Sequence, residues 1–258
     1  MPPEIWGPVL EIVIVLVLCS VISLITYFKK MLTLTGSVSA FGVGVIVGVF
    51  GSVMWLILLL VFLLSSFAAT KYKFAAKEAW GVQEGRRGER KGGNVLAHGL
   101  IPAVISIIAF LTVRFDLPLL PTGITGLIFI SAISVAAADT LASEIGVLSD
   151  KTYSIITRER VRPGTNGGVS WFGQMWAFFG AAYTSIIGWL ILHPFSDTLA
   201  DSIWIIWIPI VVGFVGCQID SVLGATLEAR GVLNKDTNNL VTIAMGAILA
   251  VLLYSFIA

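Results

Sequence analysis

Three polar clusters interrupt a strongly apolar chain, and each contains residues that could do chemistry. The first is Ala136-Ala137-Ala138-Asp139-Thr140-Leu141-Ala142-Ser143-Glu144-Ile145-Gly146. On a helix, Asp139, Ser143 and Gly146 fall at i, i+4 and i+7 and share a face, while Thr140 and Glu144 share the neighbouring one. A charge inside an apolar span costs roughly 2.5–3.5 kcal/mol on insertion scales, so each carboxylate needs a partner or a cavity. A carboxylate among small residues suits a hard cation whose remaining ligands are phosphate oxygens. Asp139 and Glu144 are therefore candidate catalytic groups, against the simpler reading of carboxylates solvated at a membrane boundary.

The second cluster is Arg158-Glu159-Arg160-Val161-Arg162-Pro163-Gly164-Thr165-Asn166-Gly167-Gly168-Val169-Ser170. Pro-Gly and Gly-Gly interrupt a helix. Glycines let backbone N–H groups converge on an anion. A span expected from about Gly168 would aim its N-terminus at the same place. Arginine grips phosphate with a planar fork of donors. Arg158, Arg160, Arg162, Gly164, Thr165, Asn166, Gly167 and Gly168 are thus candidate phosphate binders, with Ser143 and Lys151 nearby in sequence. A basic interfacial loop would explain the arginines but not Gly-Thr-Asn-Gly-Gly. The third cluster runs from Gly216 to Glu228, with Asp220, Gly224 and Glu228 at i, i+4 and i+8 on one helix face. Asn238 and Asn239 are expected just before the last span. A further basic stretch, Glu84 to Asn94, offers Arg86, Arg87, Arg90 and Asn94, either to clamp phosphate or to face water; His98 follows one turn into a span. No Walker loop, GxSxG, HExxH or GxGxxG occurs.

The elements that must hold these groups are membrane spans. Residues of the apolar set make up 57% of the 258, charged residues 12%, and mean hydropathy is +0.96. That charge content is about half the roughly 25% of soluble domains. An ordinary soluble domain, a disordered chain and a nucleic-acid partner are all excluded. Expected spans run over about 9–28, two within 31–70, then 94–113, 121–148, 168–192, 203–227 and 240–257. The 31–70 run as one helix would be about 60 Å long, twice the hydrocarbon thickness, so it is split near Gly51-Ser52 into a hairpin. The first run is too long for a signal-peptide core and is expected to be retained. Cys19 and Cys217 read as small apolar core residues. The Gly44 to Gly48 step reads as close helix packing.

The expectation is an all-α, polytopic transmembrane protein of about eight spans with both termini outside. Residues 1–258 form one integral membrane domain: spans one to three (1–70), a basic cytoplasmic loop (71–93) and catalytic spans four to eight (94–258). With the N-terminus outside, 15 of the 16 basic residues fall on inner segments and only Arg114 lies outside. The positive-inside rule favours that orientation. Outer loops carry Asp116, Asp197 and Asp201, and Trp6, Trp204 and Trp207 read as interfacial anchors.

In order, Asp139-Thr-Leu-Ala-Ser-Glu-Ile-Gly, Pro163-Gly-Thr-Asn-Gly-Gly, Asp220-Ser-Val-Leu-Gly-Ala-Thr and Asn238-Asn239 resemble the integral membrane family of the phytyl-phosphate (polyprenyl-phosphate) kinases, over about residues 80–258. The pattern also looks like a variant of the CTP-binding motif of dolichol kinase and CDP-diacylglycerol synthase, with Asn166 where those enzymes carry Glu. The resemblance implies CTP-dependent phosphoryl transfer to a prenyl monophosphate at the cytoplasmic face of the membrane. Mg2+ would lie between Asp139, Asp220 and the triphosphate. The glycine loop, the arginines, Glu228, Asn238 and Asn239 would serve the nucleotide. A lipid-alcohol kinase, a CDP-lipid synthase and a transporter of a phosphorylated molecule are the alternatives. The partners it implies are nucleotide, prenyl-phosphate lipid and bilayer; a homo-oligomer is compatible with it.

Overall fold

The computed structural model describes residues 8–117, 120, 123–195 and 203–257. Trp6, Asp197 and Asp201 lie outside the described residues. The helices are α1 (Pro8–Phe28), α2 (Leu34–Ile46, continued by a π-helical turn Val47–Gly51), α3 (Val53–Lys71), a short α4 (Phe74–Trp80), α5 (Gly92–Phe115) and α6 (Thr125–Gly146). Three short strands follow, β1 (Thr152–Ser154), β2 (Arg160–Val161) and β3 (Gly168–Val169). Then come α7 (Trp171–Leu192), α8 (Trp207–Leu223, entered by the 3-10 turn Ile203–Ile206 and extended by a π-helical turn Gly224–Glu228) and α9 (Lys235–Ile257). All but α4 are long and apolar enough to cross a bilayer, which makes eight among the described residues.

The expected hairpin in the 31–70 run turns on a single residue. Ser52 is extended (φ −175°, ψ 168°), and its hydroxyl accepts from the Trp55 N–H at 3.3 Å, capping α3. The first three spans are thus separated by charge on one side and by one capping serine on the other.

Helix α6 is the axis of the bundle. As far as Ala138 it carries no charge on any side, which suits a helix surrounded by others, and 83% of its span is buried. Leu127, Phe129 and Ile133 are fully covered. Lipid tails solvate leucine as well as protein does, so association in a bilayer relies on close van der Waals approach and interhelical hydrogen bonds. Small residues supply that approach. Gly180 faces Ala137 and Ala138, Gly216 and Gly246 face Val135, and Gly146 meets Gly173 backbone to backbone. Ser134 Oγ donates to the Pro209 carbonyl at 2.8 Å, tying α6 to α8. The Gly44 to Gly48 step packs α2 on α1, against Cys19 and Val15. Both cysteines are free and buried.

The polar segments gather at one end of the bundle. Thr33 N–H donates to the Arg90 carbonyl and Arg90 N–H to the Met31 carbonyl, each at 3.0 Å. Lys77 pairs with Glu144 and Lys235 with Glu84, each at 2.8 Å. Gly167 packs against Ser221 and Ala225.

The helical, eight-span expectation holds; the loop between α6 and α7 adds a small three-stranded antiparallel sheet, order β2-β1-β3. Three expectations need correction. Gly168 does not start a helix: it pairs with Ser154, and α7 starts at Trp171 behind Ser170, whose Oγ accepts from Gly173 N–H at 3.0 Å. The last helix starts at Lys235, not near 240. Asn234 caps it, its Oδ1 accepting from Thr237 N–H at 2.9 Å while Thr237 Oγ1 accepts from Asn234 N–H at 2.8 Å. Asn238 and Asn239 therefore sit inside its first turns. The span expected from 121 starts at Thr125.

Candidate functional site

At the polar end, α6, α7, α8, α9 and the glycine loop enclose a cavity of about 350 Å3, within the range of ligand pockets. Helix α6 contributes Asp139, Ser143 and Gly146, the face predicted from their spacing. Helix α8 and its π-helical turn contribute Asp220, Ser221, Gly224 and Glu228. The loop contributes Gly164, Thr165, Asn166, Gly167 and Gly168. Asn239 and Lys235 enter from α9, and Gln83 from the segment before α5.

The carboxyl groups of Asp139 and Asp220 come within hydrogen-bonding reach of each other across α6 and α8. Two buried carboxylates this close need a proton or a cation between them. Thr242 Oγ1 donates to Asp220 Oδ1 at 3.3 Å. Asn238 Nδ2 donates to the Asp220 carbonyl at 3.2 Å and to Glu228 Oε2 at 3.4 Å. Glu228 thus ties the π-helical turn of α8 to α9 on the cavity wall it shares with Asn166.

His98 bears on what the acids hold. Its Nδ1 lies 2.8 Å from the Asn94 carbonyl, which can only accept, so Nδ1 carries a proton. In neutral His98, Nε2 is then an acceptor, and Asn239 must present Nδ2 to it, at 3.3 Å. The amide oxygen of Asn239 then faces Asp220 Oδ1 at 3.2 Å and the Lys235 carbonyl at 3.3 Å. Turning the amide would relieve that contact, but it would require both nitrogens of His98 to be protonated in a buried site. Oxygens from Asp220, Asn239 and Lys235 with Asp139 alongside form the donor set a hard cation takes. Among the described residues no group of three or more His, Cys, Asp or Glu could hold a metal ion.

The loop reaches the cavity by two turns. Thr165 N–H donates to the Arg162 carbonyl at 3.2 Å, and Gly168 N–H to the Thr165 carbonyl at 2.8 Å. Gly167 has φ +70°, and a Cβ there would overlap Ala225 and stand 2.7 Å from the Ser221 carbonyl. Only glycine brings this strand of chain so close to α8.

Other predicted residues lie elsewhere. Glu144 does not line the cavity. Five residues beyond Asp139, it lies about 140° round the helix. There it accepts from Lys77 Nζ at 2.8 Å and Thr70 Oγ1 at 2.9 Å, with Arg90 Nη2 at 3.9 Å. Lys77, fully buried, also donates to the Ala69 carbonyl at 2.9 Å. Arg90 and Asn94 are buried beside this network and line a different cleft. Burial pushes the Arg90 guanidinium down from its ordinary pKa against the pull of Glu144. Arg86, Arg87, Lys151, Arg158, Arg160 and Arg162 are exposed and none lines the cavity. Arg160 Nη2 donates to the Asp150 carbonyl at 3.0 Å.

Sequence reasoning missed Lys235, Gln83 and Gln174 as cavity residues. Gln174, polar and one turn into an apolar span, carried a signal; Lys235 at the start of α9 and Gln83 in the loop before α5 sit where polarity is ordinary. Lys235 closes the rim with Glu84 at 2.8 Å. Burial raises the Glu84 pKa, yet Lys235, with Arg90 farther off, holds it below its usual value.

The chain is 31% identical over 241 residues to the membrane protein MJ0933 of Methanocaldococcus jannaschii, covering 93% of this chain and 92% of that one. It is 31% identical over 237 residues to Protein PGR of Arabidopsis thaliana, covering 87% and 82%. It is 28% identical over 234 residues to the chloroplastic Protein VTE6 of the same plant, covering 88% and 66%. No solved structure matches. The model of the integral membrane protein family DUF92 matches residues 17–250, and with eight spans and these relatives the chain belongs to that family of multi-pass integral membrane proteins.

Proposed function

We propose that the protein is a CTP-dependent polyprenyl-phosphate kinase, moving the γ-phosphoryl group onto a prenyl monophosphate at the cytoplasmic membrane face. The observation that carries this reading is the meeting of Asp139 and Asp220 beneath a glycine loop, in a polar cavity at one end of an apolar bundle. A lipid phosphate oxygen attacks the γ-phosphorus; the bond to the β-bridging oxygen breaks; CDP leaves and the lipid diphosphate remains. The acceptor is already ionised near neutral pH, so positioning and charge neutralisation do most of the work. Mg2+, held by Asp139 and Asp220 with Asn239, would offset charge on the phosphate oxygens. Gly164 to Gly168 shape the wall against which the phosphates lie, and Lys235, paired with Glu84, sets a cation at the cavity rim. The exposed arginines of 158–162 raise the local concentration of nucleotide without touching it.

The polar residues cluster at one end of the spans, whereas a transporter places its binding groups near the midplane. The test is purified protein with Mg2+, geranylgeranyl phosphate and CTP labelled at either the α or the γ phosphate. Label from γ alone in the lipid is expected, and Asp139→Ala abolishes it. Label from α would make it a cytidylyltransferase. Label appearing in geranylgeraniol but not in its phosphate would make it a lipid-alcohol kinase. Counterflow of labelled substrate through liposomes without product would make it a transporter.

A further inference from the structure

A second cleft lies between α1, α2, α3 and α5. Helices α2 and α3 leave Ser52 in opposite senses and wall it with Val43 and Gly44 on one side and Leu56 and Phe62 on the other. It is a narrow slot of about 80 Å3. Ile22, Leu60 and Leu63 at its edge are half-exposed, so it opens sideways to the bilayer.

Its polar end is unusual. Ser66 Oγ, Arg90 Nε and Asn94 Oδ1 are buried there without a hydrogen-bond partner. Buried polar atoms are almost always paired, so three orphans in one apolar cleft ask for a ligand. The charges agree. Lys77 and Arg90 are both buried and share the carboxylate of Glu144, Lys77 at 2.8 Å and Arg90 only at 3.9 Å, so Arg90 is the more loosely held cation, and it is Arg90 that lines the slot. An apolar slot with a buried guanidinium whose Nε is left unpartnered at its end fits an amphiphile with a hydrocarbon chain and an anionic head. The slot also adjoins the polar cavity. His98 lines the slot, and its Nε2 meets Asn239, which lines the cavity.

We infer that this slot holds part of the hydrocarbon chain of the lipid acceptor, with its phosphate accepting from Arg90 Nε and Ser66 Oγ. The head then stands beside the His98–Asn239 pair that borders the nucleotide cavity. The identity of the head group rests on the phosphotransferase reading; the slot itself does not. A lipid entering sideways never leaves the bilayer, which explains why the slot opens between spans and the nucleotide cavity at their polar end.

The test is photolabelling of the full-length protein in nanodiscs, without nucleotide, by geranylgeranyl phosphate carrying a mid-chain diazirine. Labelled peptides are expected from 40–44, 56–66 and 94–99. Excess unlabelled geranylgeranyl phosphate removes the label and phosphatidylcholine does not. Ala40→Phe, placed at the slot edge, lowers labelling about tenfold and raises KM for the lipid more than it lowers kcat. Arg90→Gln weakens competition by geranylgeranyl phosphate but not by geranylgeraniol. Label on the outer faces of α7 and α8, or label displaced equally by phosphatidylcholine, overturns the slot. Slot labelling without γ-phosphoryl transfer would leave the slot standing and remove the kinase reading. Transfer with label elsewhere would do the reverse. Should Ala40→Phe fail to fold, the competition on the unaltered protein decides alone.

Discussion

Asp139 and Glu144 stand five residues apart on α6 and end in different surroundings. Asp139 meets Asp220 in the cavity; Glu144 is locked to Lys77. Removing one partner of a buried ion pair strands the other charge, at a cost of about 3–5 kcal/mol. Glu144→Gln and Lys77→Met should each destabilise the protein by that order in detergent unfolding. The double variant should lose less than the sum, because neither charge is then left alone. Equal additivity would show that the pair does not interact. His98 has a subtler role, fixing the Asn239 amide so that its oxygen faces Asp220. Groups that orient ligands this way typically matter by about 10–100-fold in metal affinity. His98→Leu should weaken Mn2+ binding by that order, read by electron paramagnetic resonance of Mn2+ titrated into the nucleotide-free protein. Unchanged Mn2+ affinity would sink the assignment of Asn239 as a ligand. The acids were legible in the sequence because a carboxylate inside a span is costly without a use. Lys77 was not, because its partner is 67 residues away and its neighbours read as loop.

Among the elements, the glycine loop was legible as a break in helix but not as a sheet. Its strands are two or three residues long and show no alternation; they exist because β1 pairs on both edges with chain that returns to it. The same return carries the arginines of 158–162 onto the exposed side, which is why they miss the cavity that their charge suggested. The start of α9 was misplaced because Asn234 and Thr237 cap it, and capping pairs are weaker sequence signals than hydropathy. Gly167 and Gly231 separate two uses of a glycine. Both have positive φ, +70° and +73°, but Gly167 abuts Ala225 while Gly231 has open space around it. Gly231→Ala should cost about 1–2 kcal/mol of backbone strain and leave nucleotide binding alone. Gly167→Ala must also push the loop off α8, so it should weaken CTP binding by about tenfold or more at similar stability loss. Titration calorimetry of both variants checks this; equal CTP affinities would mean that the loop does not shape the nucleotide site.

For the whole molecule, the spans were legible because their lengths follow from bilayer thickness, and the extra break at Gly51-Ser52 followed from the same arithmetic. The joint use of the two halves was not legible, because it depends on contacts such as Thr33 with Arg90 and Gly167 with Ala225. Those contacts put 15 of the 16 basic residues at the cavity end and leave Arg114 at the other. If that end faces the cytoplasm, as its charge demands, a cysteine replacing exposed Arg158 should react with an impermeant maleimide only from the cytoplasmic side. A cysteine at Asp116 should react only from the opposite side. The native thiols, both buried, give little background. Reversed labelling would do more than invert the topology. It would place the Asp139–Asp220 cavity where nucleoside triphosphates are scarce, and the kinase reading would lose its donor while the lipid slot, reached from within the bilayer, would be unaffected.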